Sequence, residues 1–339
     1  MRRLWLVGLA LLTACSDALE KTSPAGQAIA VLSAATGGVT LVNAGDFAAS
    51  SLGATPDSTH PVDLAGRGGV LVVPQWSTDA LKVFNFGSNP SLPLAAGSAP
   101  TGAAFQNDTL VWVASTGLDR IVQVNLRAAD TVRSLAAGPR PVAVAVVGGK
   151  VFAVNANARR DTVFGPSTLT VWHVDGSGAP DTVALTGTNA RYITVGDDSL
   201  LYVVERGAAG SGDGRLSIVD PASERELVVL NGLGELPGAP VYHPSGRVLV
   251  ASLADGILEV NALTRSLTRG PGAGVKPGGL GVAAVALDSR GRVYAVTSGG
   301  CGANGAVHVL TNPPDYHDLR TVAVGLCPSA ATAVLPPIP

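Results

Sequence analysis

The side chains whose types could bind a ligand are mainly three arginines in predicted loops. Arg140, Arg191 and Arg206 would favour an anionic or carbohydrate ligand if the fold brought them together, because each guanidinium offers planar, bidentate donors. The alternative is that the three are solvated loop charges. The sequence contains no Ser-His-Asp order, nucleophile elbow or carboxylate pair that it could place together, so it identifies no catalytic residue.

The five histidines have no metal-ligand spacing, so the sequence predicts no metal site and identifies no cofactor. His60 is retained as a candidate ligand contact because it immediately precedes a predicted strand, with a structural role as the alternative. Residues 207–214 are rich in glycine but have neither the lysine of a phosphate-binding loop nor a following helix. We interpret this segment as a flexible loop.

The composition argues against a nucleic-acid-binding protein and against a helical one. Apolar residues make up 46% of the 339 residues and charged residues only 14%, with a formal net charge of −2 and scattered Lys and Arg. A nucleic-acid-binding surface would need a clustered basic footprint. The 42 Gly and 23 Pro residues, without amphipathic helical runs after the N-terminus, favour an all-β chain of short strands and many turns.

The N-terminus has the pattern of an export signal. Arg2 and Arg3 precede an apolar run at residues 4–12, which is too short to span a bilayer. The run ends at residues 12–15, LTAC, which resemble the lipobox of bacterial lipoproteins. The resemblance implies that Cys15 is acylated and becomes the mature N-terminus, anchored to a membrane by its lipid. An ordinary signal peptide with an incidental cysteine is the alternative.

This resemblance divides the chain into three parts. Residues 1–14 would be the lipoprotein signal peptide, residues 15–26 the lipidated cysteine with a flexible tether, and residues 27–339 a single folded domain. Ser16 rather than Asp after the cysteine implies the bacterial outer membrane or cell surface, with the periplasmic face as an alternative.

The elements that must position the candidate residues are copies of one β-hairpin, seen plainly at residues 108–126. The copies are separated by between 40 residues (Val70 to Leu110) and 49 residues (Val151 to Leu200), and their first strands start near Ile29, Val70, Leu110, Val151, Leu200, Val248 and Val293. A period in the forties with about four strands per unit is typical of β-propeller blades. The sequence therefore predicts a seven-bladed β-propeller rather than a β-sandwich.

The C-terminus predicts how the ring closes. Residues 326–330 repeat the element that precedes the inner strands, and residues 331–335 can form such a strand, but no hairpin follows. The first unit has a hairpin without an inner strand, so the last strand is predicted to complete the first blade. Cys301 and Cys327 are predicted to lie in two loops on the same face of the propeller, next to this closing strand. They are an even pair in an exported protein, which predicts a disulfide, with two free thiols as the alternative.

Part of the chain resembles a known propeller family. Residues 215–227, RLSIVDPASEREL, look like the second hairpin strand, turn and outer strand of the YVTN-type repeat, a relative of the NHL repeat. Residues 151–157 and 201–204 look like degenerate versions of its naming motif. The resemblance extends over residues 27–335 through the recurrence of weak motifs, and no blade has the full signature.

Ligand sites in propellers usually lie at one end of the ring, where the loops between second and third strands meet the connections between blades. Two of these loops, at residues 155–167 and 205–214, are longer than the plain loop at 115–119, which favours a binding role. The candidate residues at this end are His60, Gln75, Trp76, Arg140, Asn155, Asn157, Arg159, Arg160, Arg191, Glu205, Arg206 and Asp255.

These observations predict a monomeric, membrane-anchored and exported propeller that acts as a non-catalytic ligand-binding or protein-interaction module of the cell envelope. The expected partners are the membrane, through the lipid on Cys15, and either another envelope protein or a carbohydrate or anionic small ligand. A lactonase-like enzyme is one alternative, because YVTN-like propellers include sugar-lactone hydrolases. A scaffold subunit of a surface assembly is the other, since the fold alone fixes no function.

Overall fold

The structure is a computed structural model that describes residues 26–55, 61–84, 89–160 and 163–335. Cys15 and His60 therefore lie outside the described residues. Seven four-stranded antiparallel sheets form the blades of a β-propeller, which confirms the predicted fold. No helix in the described ranges is long and apolar enough to cross a membrane.

The strands follow in chain order. The first three blades contain β1 (Ala28–Ser33), β2 (Gly38–Asn43) and β3 (Ala49–Ala54); β4 (Ala65–Arg67), β5 (Val70–Gln75), β6 (Ala80–Phe84) and β7 (Ser91–Pro93); and β8 (Pro100–Phe105), β9 (Leu110–Ser115), β10 (Arg120–Asn125) and β11 (Asp130–Ala136). Blades 4 and 5 contain β12 (Pro141–Val147), β13 (Lys150–Asn155), the small hairpin β14 (Ala158–Arg160) and β15 (Val163–Phe164), β16 (Pro166–His173) and β17 (Asp181–Thr188); and β18 (Ala190–Val195), β19 (Leu201–Glu205), β20 (Gly214–Asp220) and β21 (Arg225–Gly234).

Blades 6 and 7 and the closing strand complete the chain. They contain β22 (Pro240–His243), β23 (Arg247–Ser252), β24 (Gly256–Asn261) and β25 (Ser266–Arg269); then β26 (Val282–Leu287), β27 (Val293–Gly299), β28 (Ala303–Leu310) and β29 (Asp318–Leu326); and finally β30 (Pro328–Val334). Single 3₁₀ turns among the described residues lie at Thr116–Leu118 and Pro277–Gly279. The first hairpin strand of every blade starts within one residue of its predicted position.

Burial explains why the hairpins are so visible in the sequence. The second strand of a blade packs against neighbouring blades on both faces, and β1 is buried along its whole length. Such strands are nearly continuous apolar runs. The outermost strands have one solvated face, and β17 alternates between exposed and buried positions, with Val183 and Leu185 turned inward.

The ring closes as the sequence predicts. The inner strands β4, β8, β12, β18, β22 and β26 contact one another in that order, and β30 contacts both β26 and β4. β30 pairs antiparallel with β1, so that Val334 lies opposite Ala28 and Ala331 opposite Val31. The first blade thus takes its inner strand from the C-terminal end of the described chain.

The predicted disulfide is present next to this closure. Cys301 lies in the loop between β27 and β28, and Cys327 lies directly before β30. The bond joins residues 26 positions apart. It fastens a loop of the last blade to the segment that delivers the closing strand, and on a chain-entropy basis such a loop contributes roughly 3 kcal/mol.

Candidate functional site

One end of the ring, here called the mouth face, carries the loops between second and third strands together with the connections between blades. From this face a central channel runs along the inner strands and contains a cavity of about 240 Å³. Its walls are mostly small or aliphatic side chains such as Ala103, Ala143, Ile193 and Ala331. Small residues are needed here because seven strands converge on one axis.

The three candidate arginines do converge at the mouth face. Arg140 comes from the connection between β11 and β12, Arg191 is the second residue of β18, and Arg206 follows β19. All three line one cavity of about 210 Å³, together with Asn189 and Phe164. We call this cavity the arginine pocket.

Local hydrogen bonds fix the backbone that carries these arginines. The Arg140 amide donates to the Asp119 carboxylate over 2.7 Å, and Arg140 has a left-handed φ of 52°. The Arg206 amide donates to the Asn189 carbonyl over 3.0 Å, and the Asn189 side chain donates to the Gly207 carbonyl over 2.8 Å. The pocket is therefore built on braced loops.

The electrostatics of the pocket favour an anion. Burial lowers the pKa of Arg191, and the neighbouring charges of Arg206 and Arg140 lower it further. Within the described ranges, neither Arg191 nor Arg206 forms an ion pair, and the Nε of Arg206 is buried without a hydrogen-bond partner. Partly buried guanidinium groups without a counterion are stabilised by a bound carboxylate or phosphate.

A residue that sequence reasoning missed, Asp63, lies beside this pocket. The inner strand of blade 2 starts only at Ala65, because the preceding segment makes an isolated bridge from Pro61 to Gln75 instead. Asp63 consequently lines the channel, and burial raises the pKa of its carboxyl to about 7, against opposing effects of the Leu64 amide and Arg191. The available signal was a carboxylate at a position where blades 3, 4 and 7 have the small residues Gly102, Ala143 and Ala284.

Three predicted site residues lie inside the blades and not on the mouth. Gln75, Asn155 and Glu205 are buried at the last positions of β5, β13 and β19. They belong to a set of buried polar residues that end or nearly end the second strand of each blade: Ser33, Gln75, Ser115, Asn155, Glu205, Ser252 and Thr297.

Several members of this set hydrogen-bond to neighbouring segments of the fold. Asn155 donates to the Thr170 hydroxyl over 2.9 Å, and Ser115 donates to the Ser98 carbonyl over 3.2 Å. A polar group buried at such a strand end needs a partner. The recurrence of one polar residue at the same position in seven repeats was the sequence signal for this role.

Of the remaining candidates, Trp76, Asn157 and Asp255 lie on the mouth-face loops. Asp255 accepts a hydrogen bond from the Gly272 amide over 3.0 Å, much as Asp79 does from the Ala99 amide over 2.8 Å, so it braces its own blade. Trp76 is 45% exposed in the loop after β5. Asn157 lies in the long loop after β13 and donates to the Pro166 carbonyl, next to the additional hairpin formed by β14 and β15.

The described residues contain no group of three or more His, Cys, Asp or Glu side chains arranged to hold a metal ion. The fold instead brings the arginine pocket next to Asp63, because Arg191 lines both that pocket and the small cavity that contains Asp63.

The comparisons with known proteins agree with the fold. No protein-family model matches the chain, and no curated protein matches it. Among solved structures, hydrazine synthase of Kuenenia stuttgartiensis is 13% identical with a TM-score of 0.65, covering 83% of this chain and 91% of that one. Virginiamycin B lyase of Staphylococcus aureus is 12% identical with a TM-score of 0.61, covering 79% and 85%.

The structure of apo AztD from Citrobacter koseri is 13% identical with a TM-score of 0.55, covering 91% of this chain and 98% of that one. Identities this low show a shared fold and nothing about the ligand or reaction. This chain is therefore similar to several seven-bladed propellers in architecture.

Proposed function

We propose that this chain is a YVTN/NHL-like propeller, exported and anchored by a lipid on Cys15, that binds a small acidic ligand in the arginine pocket without catalysing a reaction. The observation that carries the proposal is the convergence of Arg140, Arg191 and Arg206 in one cavity beside the channel. A carboxylate, an acidic sugar or a phosphate offers the oxygen atoms that guanidinium groups bind in bidentate fashion.

Replacing a pocket arginine should weaken binding of small anions. Arg191→Gln and Arg206→Gln each remove a charged donor, and a hydrogen bond to a charged group contributes about 1.5–3 kcal/mol, so we expect an affinity loss of roughly 10- to 100-fold. Titration calorimetry with acetate, glucuronate and inorganic phosphate measures the effect.

The matched control for this measurement is Arg127→Gln. Arg127 is an exposed residue of the turn between β10 and β11, at the opposite end of the blade. Its substitution should therefore leave anion binding unchanged. Equal losses in all three variants would indicate a general charge effect. If both pocket variants bind the anions with the wild-type affinity, the arginine pocket is not the binding site.

Membrane attachment should depend on Cys15. The resemblance of residues 12–15 to a lipobox supports lipidation, and the disulfide is consistent with an oxidising compartment outside the cytosol. We expect Cys15→Ser to move the protein from the membrane fraction to the soluble fraction, because the anchor is covalent. Fractionation with Ser23→Ala as the control measures this, and Cys15→Ser protein that stays with the membrane would contradict lipid anchoring.

A further inference from the structure

A second, smaller cavity lies next to the arginine pocket, on the other side of Arg191. This cavity has a volume of about 40 Å³ and is lined by Asp63, Thr101 and Tyr192, among others. The two cavities share Val142 and Arg191 in their walls. Arg191 therefore lies between the arginine pocket and the cavity that contains the Asp63 carboxylate.

The opposite charges in these walls do not contact each other. Asp63 and Arg191 line the same small cavity, but no ion pair joins them within the described ranges, where a pair is counted up to 4.0 Å. One oxygen of Asp63 accepts the Leu64 amide over 2.8 Å. The other oxygen has no hydrogen-bond partner among the described residues, so it can bind a donor that enters from the channel.

An anion alone fits only part of this arrangement. A bound carboxylate or phosphate would neutralise the arginines, but it would lie close to the ionised Asp63 and be repelled by it. A neutral sugar would leave both signs of charge without a counterion, which is costly in a partly buried site. A cation alone would be repelled by the three arginines, whose positive charge is larger than the negative charge of Asp63.

We propose that the ligand is a zwitterion of the amino-carboxylate class, whose carboxylate binds Arg191 and Arg206 while its ammonium group donates to Asp63. This inference rests on the proposed function, because it uses the arginine pocket for the acidic end of the ligand. It adds a second recognition element of opposite charge, which would distinguish an amino acid from an equally large simple acid.

The pH dependence of ligand affinity is expected to follow the protonation of Asp63 among the charged and titratable groups that face it. They are Arg191 and Tyr192 from β18, with Arg140 and Arg206 beyond Arg191, whereas the neighbouring Thr101 and Val142 do not titrate. Because burial raises the pKa of Asp63 to about 7, this carboxyl is protonated in part of the population at neutral pH. An ammonium ligand needs the ionised form, so its affinity should rise as the pH rises through about 7.

A simple carboxylate should show the opposite trend. Protonation of Asp63 removes a repulsive charge, so the affinity for a ligand with only a negative group should rise as the pH falls through about 7. The direction of the pH profile therefore separates the two ligand classes. An alkylammonium group with a pKa of about 10 stays charged throughout this window.

The test is calorimetry on the full chain with matched pairs of probes: glycine and acetate, 4-aminobutyrate and butyrate, 6-aminohexanoate and hexanoate. We expect at least one amino carboxylate to bind 10-fold or more tightly than its partner without the amine. Asp63→Asn should abolish this preference and the rise with pH while binding of the simple carboxylate is kept or strengthened. Asp213→Asn, an exposed carboxylate elsewhere on the mouth face, should behave as wild type.

The outcomes are distinguishable. Equal affinities within every pair, or an amino-carboxylate affinity that falls as the pH rises, would overturn the zwitterion inference and leave the arginine pocket intact. Carboxylate binding that is insensitive to Arg191→Gln, or no binding of any probe, would overturn the proposed function and the inference together. Retained carboxylate binding by Asp63→Asn shows that this variant is folded.

Discussion

Truncating the chain after Cys327 is expected to abolish cooperative folding. β1 is buried at every position between β2 and β30, and the truncation removes six paired positions from one of its sides. It also removes Val334, which is 3% exposed, and with it the contacts of β30 with β26 and β4. The free energy of unfolding of a domain is only about 5–15 kcal/mol. Opening the ring and leaving β1 unpaired on one side should cost more than this. Thermal unfolding followed by circular dichroism measures the effect.

A circular permutant is the matched control for this truncation. Val334 lies opposite Ala28, so the end of β30 is close to the start of β1. Moving residues 328–335 in front of Gly26 through a short Gly-Ser linker restores the same strand in the same place. We expect the permutant to recover a single cooperative transition. A truncated chain that melts like the full one would show that β30 is dispensable for closing the ring.

The blade pattern was predictable because propeller blades bury their second strands from both sides. Runs such as VLVVP in β5 and VWVA in β9 have no polar face, and turn residues follow at a constant interval. Because the hairpin recurs seven times, an ambiguous pattern in one copy is resolved by the position of the others. The closing strand was predictable for a related reason, since an inner-strand element without a hairpin at one end matched a hairpin without an inner strand at the other.

Side-chain direction at the strand ends was not predictable from one blade. Gln75, Asn155 and Glu205 are each polar residues at the edge of an apolar run, where a loop begins. Successive side chains on a strand point to opposite faces, so a shift of one residue decides between solvent and the blade interior. The recurrence of a polar residue at this position in all seven blades was the available signal, and the structure shows that all seven side chains are buried.

The convergence of the arginines was predictable in outline, because blade topology places their loops on one face. The lack of an ion pair at Arg191 and Arg206 within the described ranges was not, since it depends on which carboxylates come within contact distance in space. Asp63 was missed for a similar reason. Its position in the channel follows from a short interruption of the inner strand between Pro61 and Ala65, which no periodic pattern indicates.

Glu205 forms part of a buried network in which the hydrogens can be counted. The Ser217 hydroxyl lies 2.9 Å from Glu205 and 2.7 Å from Glu226, and it has one hydrogen for two carboxylates. The Gly187 amide donates to the other oxygen of Glu205 over 3.0 Å. If Glu205 is protonated, it donates to Ser217 and Ser217 donates to Glu226, so every group has a partner.

Glu205→Gln should make the protein more stable than wild type at pH 8 but not at pH 5. Burial, together with the charge of Glu226, raises the pKa of Glu205 from 4.5 to about 7, so its stabilising contribution is complete below about pH 4.5 and is lost as the pH rises through about 7. Glutamine imitates the protonated form at every pH. The difference between the variant and wild type should therefore grow by up to about 3 kcal/mol from pH 5 to pH 8.

Unfolding in guanidinium chloride at the two pH values measures this difference, and subtracting the wild-type curve cancels the similar titration of Asp63. Asp181→Asn, which removes an exposed carboxylate from β17, serves as the control and should follow wild type at both values. A constant difference between Glu205→Gln and wild type would mean that Glu205 does not change protonation in this range. The larger gain at alkaline pH is expected because only there does the native blade hold two ionised carboxylates around one hydroxyl hydrogen.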